Sequence, residues 1–166
     1  MSEAYRLNAP AKVNLYLHVT GRRDDGYHLL DSLIVFTALS DRLELAPASG
    51  LKLAVEGAFA DNAGALKDNL VLRAARALAD AAKIDNGMTT RLVKNIPAAA
   101  GLGGGSADAA AALRGLMRLW NIPVDAVDLP QLALKLGADI PVCLMSESSF
   151  VGGVGELIEP APTLPE

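Results

Sequence analysis

The residues best suited to chemistry lie in one stretch, Asn95–Ala112, which reads NIPAAAGLGGGSADAAAA. Four glycines fall within five consecutive positions: Gly101, Gly103, Gly104 and Gly105. Such a backbone can adopt positive φ and approach a ligand with no Cβ in the way. The alanine run that follows predicts a helix whose first turn leaves unpaired N–H groups. These donors and the positive end of the helix dipole predict a phosphate site, and hence a nucleotide ligand.

A glycine-rich stretch can also be a flexible linker or a different phosphate motif. A linker would be bounded by polar sequence of low complexity, whereas this stretch has apolar flanks and leads into a helix. The P-loop pattern fails because no lysine follows the glycines. The dinucleotide fingerprint matches only as Gly101-x-Gly103-x-x-Ser106, and Asp125 is an accidental candidate for its acidic residue. That match is weak.

Composition restricts the class of protein. The chain has 166 residues, 51% apolar and 20% charged, which is enough for one domain with a core. A net charge of −4 without any basic block disfavours binding to nucleic acid or to a membrane surface. Cys143 is the only cysteine, so neither a disulfide framework nor a cysteine-rich metal site is expected. We find no signal-peptide core or membrane span, and expect a cytoplasmic protein.

Hydrophobic periodicity predicts the strands around the glycine loop. Residues alternate from Lys12 to Thr20, which predicts a half-buried strand. Its apolar face consists of Val13, Leu15, Leu17 and Val19. Further strands are predicted near residues 29–39, 42–46, 51–56 and 89–94, with turns at 22–26 and 47–50. A glycine-interrupted strand pair is predicted at 150–158.

Three helices are predicted. Asp68 or Asn69 can cap the first, and the alanine helix runs to about Trp120. The third spans roughly residues 126–136 and ends at Gly137. Strands followed by helices with strands interposed argue for an α+β fold, with helices on one face of a mostly antiparallel sheet. A doubly wound parallel sheet is the alternative, and the early turn-connected strands count against it.

Three stretches resemble one known family when they are read together: PAKVNLYLHVTGRRDDGYH at 10–28, PAAAGLGGGSADAAAAL at 97–113 and LGADIPVCL at 136–144. In this order and spacing they resemble the GHMP kinase superfamily. The glycine loop alone would indicate only the superfamily. The PAKVNL and DGYH segments narrow the resemblance to the kinases of the methylerythritol phosphate route to isoprenoid precursors.

The resemblance implies transfer of the γ-phosphoryl group of ATP, with Mg²⁺, to the 2-hydroxyl of diphosphocytidyl methylerythritol. It also implies a two-domain arrangement, with the nucleotide between an N-terminal domain similar to ribosomal protein S5 domain 2 and a C-terminal α+β domain. Residues 1–166 would be the GHMP kinase N-terminal, ATP-binding domain. The C-terminal domain would be absent from this chain and would be its partner, which leaves the activity of the isolated domain open.

Five residues outside the loop receive catalytic or acceptor-binding roles. Asp139 matches the catalytic aspartate, whose carboxylate could accept the hydroxyl proton; otherwise a capping or turn aspartate would be preferred. Lys12 matches the catalytic lysine at the start of a strand, where it would orient the hydroxyl; otherwise it would be an exposed lysine. Asn14, on the same strand face as Lys12, could form hydrogen bonds to substrate or be an ordinary outward polar residue. Tyr27 and His28 match residues that bind the cytosine ring. Tyr27 would stack on the cytosine ring, and His28 would form hydrogen bonds to it.

The phosphate-binding loop of the family corresponds to Pro97, Ala98, Ala99, Ala100, Gly101, Leu102, Gly103, Gly104, Gly105, Ser106 and Ala107. The family usually carries more glycine where residues 98–100 are alanine here. Ser106 would bind phosphate or Mg²⁺, or simply cap the helix. Asp108, in the first helical turn, is expected to point away from the phosphate. Asn69 and Lys94 match positions that line the adenine pocket.

Two other function classes stay open. One is a nucleotide-binding module without catalysis. The other is an RNA-binding protein, suggested only by the implied S5-like fold, and the acidic balance counts against it.

Overall fold

The computed structural model describes residues 4–62 and 66–162, so both ends of the predicted domain 1–166 lie outside the described residues. The strands are β1 (Tyr5–Arg22), β2 (His28–Ala48), β3 (Leu51–Glu56), β4 (Gly87–Val93), β5 (Ser149–Gly153) and β6 (Leu157–Pro160). The α-helices are α1 (Leu70–Ala82), α2 (Gly104–Leu119), α3 (Leu129–Leu136) and α4 (Ile140–Met145). Among the described helices, none is both long and apolar enough to cross a bilayer.

β2 is the central strand of the single six-stranded sheet. β1 runs antiparallel along one side of β2, while β4 and β5 share its other side, β4 beside residues 42–48 and β5 beside residues 30–34. β6 extends the sheet antiparallel to β5. Helix α2 packs on β1 and β2, and α1 packs on α2. The predicted α+β fold, a mostly antiparallel sheet with helices on one side, is confirmed.

Two predictions about strand pairing are wrong. The strands predicted at 29–39 and 42–46 form one continuous strand, β2. The strands around the turn at 47–50 do not pair with each other, because β4 lies between β2 and β3 and pairs in parallel with β3. Local turn residues predict that the chain reverses, but they carry no information about a strand contributed later in the sequence.

The alanine run of α2 serves packing as well as helix formation. Residues 107 and 109–112 are at most 2% exposed, because α2 is covered by α1, α4 and the sheet. A Cβ on Gly115 would lie 2.4 Å from Leu45 Cδ1 and 2.8 Å from Leu7 Cδ1. Small residues therefore bring α2 close to the sheet, and this fixes where its N-terminus meets the glycine loop.

The predicted buried face of β1 is wrong. Leu15, Leu17 and Val19 are 53%, 51% and 58% exposed, and the buried residues of the strand lie at 9, 11 and 12. Three register shifts interrupt the pairing of β1 with β2, one of them between Asn14 and Tyr16. No residue of β1 after Lys12 is buried, on either face, so the alternation in the sequence does not mark a buried face of the strand.

A pair of leucine truncations tests this assignment of the core. Leu45→Ala should lower the free energy of unfolding of the chain by about 2–5 kcal/mol, because Leu45 is fully buried against α2. Leu17→Ala removes the same atoms from an exposed side chain and should change it by less than about 0.5 kcal/mol. Urea unfolding of both variants measures the two losses of free energy of unfolding. Equal losses would contradict the exposure of Leu17 on β1.

Candidate active site

The glycine loop ends at a helix N-terminus without a side-chain cap. Helix α2 begins at Gly104, and Gly103 occupies the N-cap position with φ +63° and no capping side chain. The first backbone bond of the helix runs from Ala107 N–H to Gly103 O at 2.8 Å. The N–H groups of residues 104–106 therefore lie at the free end of the helix, where an anion is stabilised.

This helix end opens into a cavity of about 410 Å³. Its lining residues are Asp68, Asn69, Leu70, Lys94, Pro97, Ala98, Ala99, Ala100, Gly101, Leu102, Gly103, Gly104, Gly105, Ser106 and Asp108. The cavity thus brings together the residues that the resemblance predicts to bind ATP, except Ala107, which is buried in the core. Asn69 also caps α1, since its Oδ1 accepts from Val71 N–H at 2.9 Å.

Three residues of the loop, Ala99, Gly101 and Gly103, adopt the left-handed region. Gly103 must be small as well as left-handed, because a Cβ there would lie 3.1 Å from Lys12 Cε. Ala99 has φ +57° although it is not glycine, which costs about 1 kcal/mol. The alanines at 98–100 therefore do not prevent the loop from curving, but Ala99 does so under strain.

Three buried charges, Asp41, Lys94 and Asp108, form what we call the loop clamp. Lys94 Nζ forms ion pairs with Asp41 Oδ2 and, at 2.7 Å, with Asp108 Oδ2. Asp41 Oδ1 accepts from the N–H groups of Asn95 and Ile96 at 2.5 and 2.8 Å. Asp41 belongs to β2, Lys94 directly precedes the loop and Asp108 lies in α2. The clamp therefore fixes both ends of the loop.

Asp108 is the least satisfied member of the clamp. It is 3% exposed, and its Oδ1 has no hydrogen-bond partner among the described residues. Burial raises the pKa of Asp108 to about 7, against the opposing charge of Lys94 and with a further contribution from Asp41. For Lys94, burial lowers the pKa, but the two carboxylates outweigh burial and leave that pKa raised.

The expectation for Asp108 needs correction. Asp108 is in the second turn rather than the first, because α2 begins at Gly104. Its side chain is directed at Lys94 and lines the cavity instead of pointing away from it. Lys94 lines the cavity as well, but its ammonium is bound by two carboxylates. Sequence reasoning missed Asp41, for which the one available signal was a lone acidic residue between two apolar strand segments.

Lys12 and Asp139 meet beside the loop. Lys12 Nζ lies 3.3 Å from Asp139 Oδ1, and the Lys12 side chain is 5% exposed whereas that of Asp139 is 49% exposed. Lys12 is neither exposed nor at a strand end, because β1 begins at Tyr5. Its backbone N–H donates to Leu102 O at 2.8 Å and joins the pair to the glycine loop. The pair thus offers a fixed ammonium next to an accessible carboxylate.

A relay of hydrogen bonds orients the Lys12 ammonium. Lys12 Nζ donates to Asn14 Oδ1 at 2.8 Å, and Asn14 Nδ2 donates to Ser32 Oγ at 2.7 Å. Ser32 Oγ in turn donates to Tyr16 O at 2.6 Å. Asn14 is therefore largely committed to Lys12 and Ser32. Nothing in the sequence marked Ser32 as part of the site.

Asp139 lies at the junction of α3 and α4. Gly137 ends α3, and Asp139 occupies the N-cap position of α4 without a side-chain capping bond, so its carboxylate is available to Lys12. The sequence analysis did not predict α4. A signal was present, because Pro141 stands in the first turn of α4, where proline is favoured.

Tyr27 and His28 lie apart from this pair. They follow the turn that joins β1 to β2, where His28 is opposite Arg22. The Tyr27 side chain is 62% exposed. Within the described part of the chain, no hydrogen bond or ion pair joins either residue to Lys12 or Asp139.

These features define a class of protein. The helix end can hold phosphate, the ammonium can stabilise negative charge, and the accessible carboxylate can accept a proton. Among the described residues, no group of three or more His, Cys, Asp and Glu side chains is placed to hold a metal ion. The fold and the site are those of a phosphate-binding domain suited to phosphoryl transfer.

Comparisons with known proteins identify the family. Residues 69–147 match the family described as "GHMP kinases N terminal domain". A 4-diphosphocytidyl-2-C-methyl-D-erythritol kinase of Paramagnetospirillum magneticum is 56% identical over 162 residues, covering 98% of this chain and 56% of that protein. A kinase of the same name from Cereibacter sphaeroides is 52% identical over 167 residues, covering 100% of this chain and 56% of that protein.

A crystal structure of 4-(cytidine 5'-diphospho)-2C-methyl-D-erythritol kinase is similar over the whole fold. It matches with a TM-score of 0.81 at 42% identity and covers 97% of this chain and 56% of that one. The chain belongs to the GHMP kinases. It spans about half the length of these relatives.

Asp108→Asn tests the charge of the loop clamp. Because the folded-state pKa of Asp108, about 7, lies above the ordinary value of 3.8, the folded chain holds this proton more tightly than the unfolded chain. The resulting stability is complete below the ordinary pKa and is lost as the pH rises through about 7. We expect this fall in the free energy of unfolding to be missing in Asp108→Asn.

Urea unfolding between pH 3.8 and about 7 measures the free energy of unfolding of wild type and of Asp108→Asn. Asp80→Asn, which removes a carboxylate from an exposed position of α1, controls for net charge. Parallel pH profiles for wild type and Asp108→Asn would show that Asp108 is not the titrating group.

Proposed function

We propose that this chain is the nucleotide-binding part of a small-molecule kinase. The whole protein would transfer the γ-phosphoryl group of ATP to the 2-hydroxyl of 4-diphosphocytidyl-2-C-methyl-D-erythritol. The observation that carries the proposal is the contact between Lys12 and Asp139, which the Lys12–Leu102 backbone bond joins to the glycine loop. The names of the relatives supply the acceptor.

The proposed reaction needs positioning and charge neutralisation more than covalent chemistry by the protein. Asp139 accepts the proton of the acceptor hydroxyl as its oxygen forms the bond to the γ-phosphorus. The bond from that phosphorus to the bridging oxygen breaks, and ADP leaves. Lys12 holds the hydroxyl and stabilises the negative charge that develops. The free N–H groups of residues 104–106 hold the phosphates of ATP.

ATP and Mg²⁺ fit the residues of the site to different degrees. The cavity of about 410 Å³, its uncapped helix end and its lining by Asn69 suit a nucleotide. Mg²⁺ usually keeps water ligands and binds through nucleotide phosphates with one or two protein oxygens. The Ser106 hydroxyl, which lines the cavity, is the protein oxygen we propose for it. The ion would neutralise phosphate charge.

The acceptor would extend from Asp139 towards the β1–β2 turn. Asn14 lies next to Lys12, and the exposed Tyr27 leaves a ring face free for stacking on a cytosine ring. His28 would form hydrogen bonds to the edge of that ring. We propose that a C-terminal domain, corresponding to the part of the relatives that this chain does not span, completes the site.

Asp139→Asn tests the proposed base in a protein as long as the relatives, with the C-terminal domain present. Turnover with ATP and 4-diphosphocytidyl-2-C-methyl-D-erythritol should fall about 100-fold or more, because asparagine cannot accept the proton. The KM for ATP should change little, since the loop is untouched. Lys12→Met should also lower turnover, and Asp125→Asn, at an exposed turn, is the control.

Unchanged turnover in Asp139→Asn would remove Asp139 as the base. If the wild-type protein bound ATP but transferred nothing to this acceptor, the alternative of a nucleotide-binding module without catalysis would replace the proposal.

A further inference from the structure

Arg114 forms a set of contacts that the proposed mechanism does not use. It lies on α2, and its Nη1 donates to Cys143 O at 2.7 Å and to Leu144 O at 3.0 Å. Its Nη2 donates to Asn8 O at 3.4 Å. The first two acceptors are in the last turn of α4, whose final carbonyls have no helical partner. A cation there also complements the negative end of the helix.

These bonds connect Arg114 to the elements that carry Lys12 and Asp139. The glycine loop leads into α2, the helix of Arg114. Asp139 immediately precedes α4, and the single helix of six residues separates it from the carbonyls that Arg114 binds. Asn8 is on β1, in the same strand as Lys12. One guanidinium therefore joins the helix behind Asp139 to the strand of Lys12.

The chemistry of arginine suits this task. Its planar group presents donors in a rigid fork, so it can hold two helix carbonyls and a strand carbonyl at once. Ser146 supports the same corner, because its hydroxyl donates to Cys143 O at 2.8 Å. A lysine would keep the charge but would not span acceptors on two elements.

We propose that Arg114 is a positioning residue that sets the separation of Lys12 and Asp139. This inference rests on the proposed function for its kinetic consequence, but the geometry it concerns can be measured without catalysis. Arg114 itself touches neither reacting group. It acts by holding α4, and hence Asp139, against β1.

The kinetic test compares Arg114→Ala with Arg118→Met in a protein as long as the relatives. Arg118 is an exposed arginine on the same helix and serves as the matched control. We expect kcat of Arg114→Ala to fall about 10- to 100-fold, since small displacements of reacting groups have effects of this size. The KM for ATP should stay within about twofold, because the loop clamp holds the loop separately, and added guanidinium ion should restore part of kcat.

A cross-linking test does not depend on activity. A carbodiimide joins a carboxylate to an amine in contact with it, forming an amide while the reagent takes up the water. Mass spectrometry of tryptic peptides measures the Lys12–Asp139 product. Its yield should be lower in Arg114→Ala than in wild type or Arg118→Met, and thermal unfolding shows whether each variant is folded at the assay temperature.

The outcomes separate the two proposals. Wild-type protein without phosphoryl transfer would contradict the proposed function, and the cross-link yield would still decide the role of Arg114. Equal cross-linking in all three proteins overturns the positioning role. Loss of kcat and ATP affinity together, in step with lost stability and without rescue by guanidinium, also overturns it, because a merely structural arginine would give that result.

Discussion

The loop clamp is the interaction on which the site depends. Burying charges is costly unless each is paired and hydrogen-bonded, and the clamp meets this condition for Lys94 and Asp41. Its members come from the centre of the sheet, the end of β4 and the second turn of α2. The loop between them contains left-handed residues, among them the strained Ala99. Its two ends are held by charge, and the loop is positioned as a result.

The Lys12–Asp139 pair is attached to the glycine loop through a backbone hydrogen bond and through packing. Lys12 donates its N–H to Leu102 O, and its side chain lies against Gly103. The ammonium is then oriented by Asn14, not by the loop. The proposed phosphate binding and proton transfer are thus placed on different elements that share one strand residue. This division is the reason to expect that a change in α4 affects Asp139 without disturbing the cavity.

Sequence signals predicted local features of the fold. They did not predict features that depend on contacts between residues far apart in the sequence. The cap at Asn69 and the end of α3 at Gly137 are set by neighbouring residues, and both were predictable. The sequence also predicted a helix after the loop, although α2 begins at Gly104, inside the glycine run. The Asp41–Lys94 pair joins residues 53 positions apart, and no pattern of composition or spacing marks such a contact. The periodicity of β1 failed for a related reason, since alternation in the sequence does not show which elements pack on a strand, and no residue of β1 after Lys12 is buried. The resemblance of three motifs predicted the fold, which the residues alone left between two sheet architectures.

β1 has a further property that follows from its bulges. In the described part of the chain it is an edge strand, paired with β2 on one side only, and it carries exposed leucine and valine. Long, flat, apolar edges are templates for pairing with other copies and lead to aggregation. The register shifts twist and interrupt this edge, so that a second strand could not pair along its whole length. The register shifts therefore limit the risk of aggregation that these exposed apolar side chains bring.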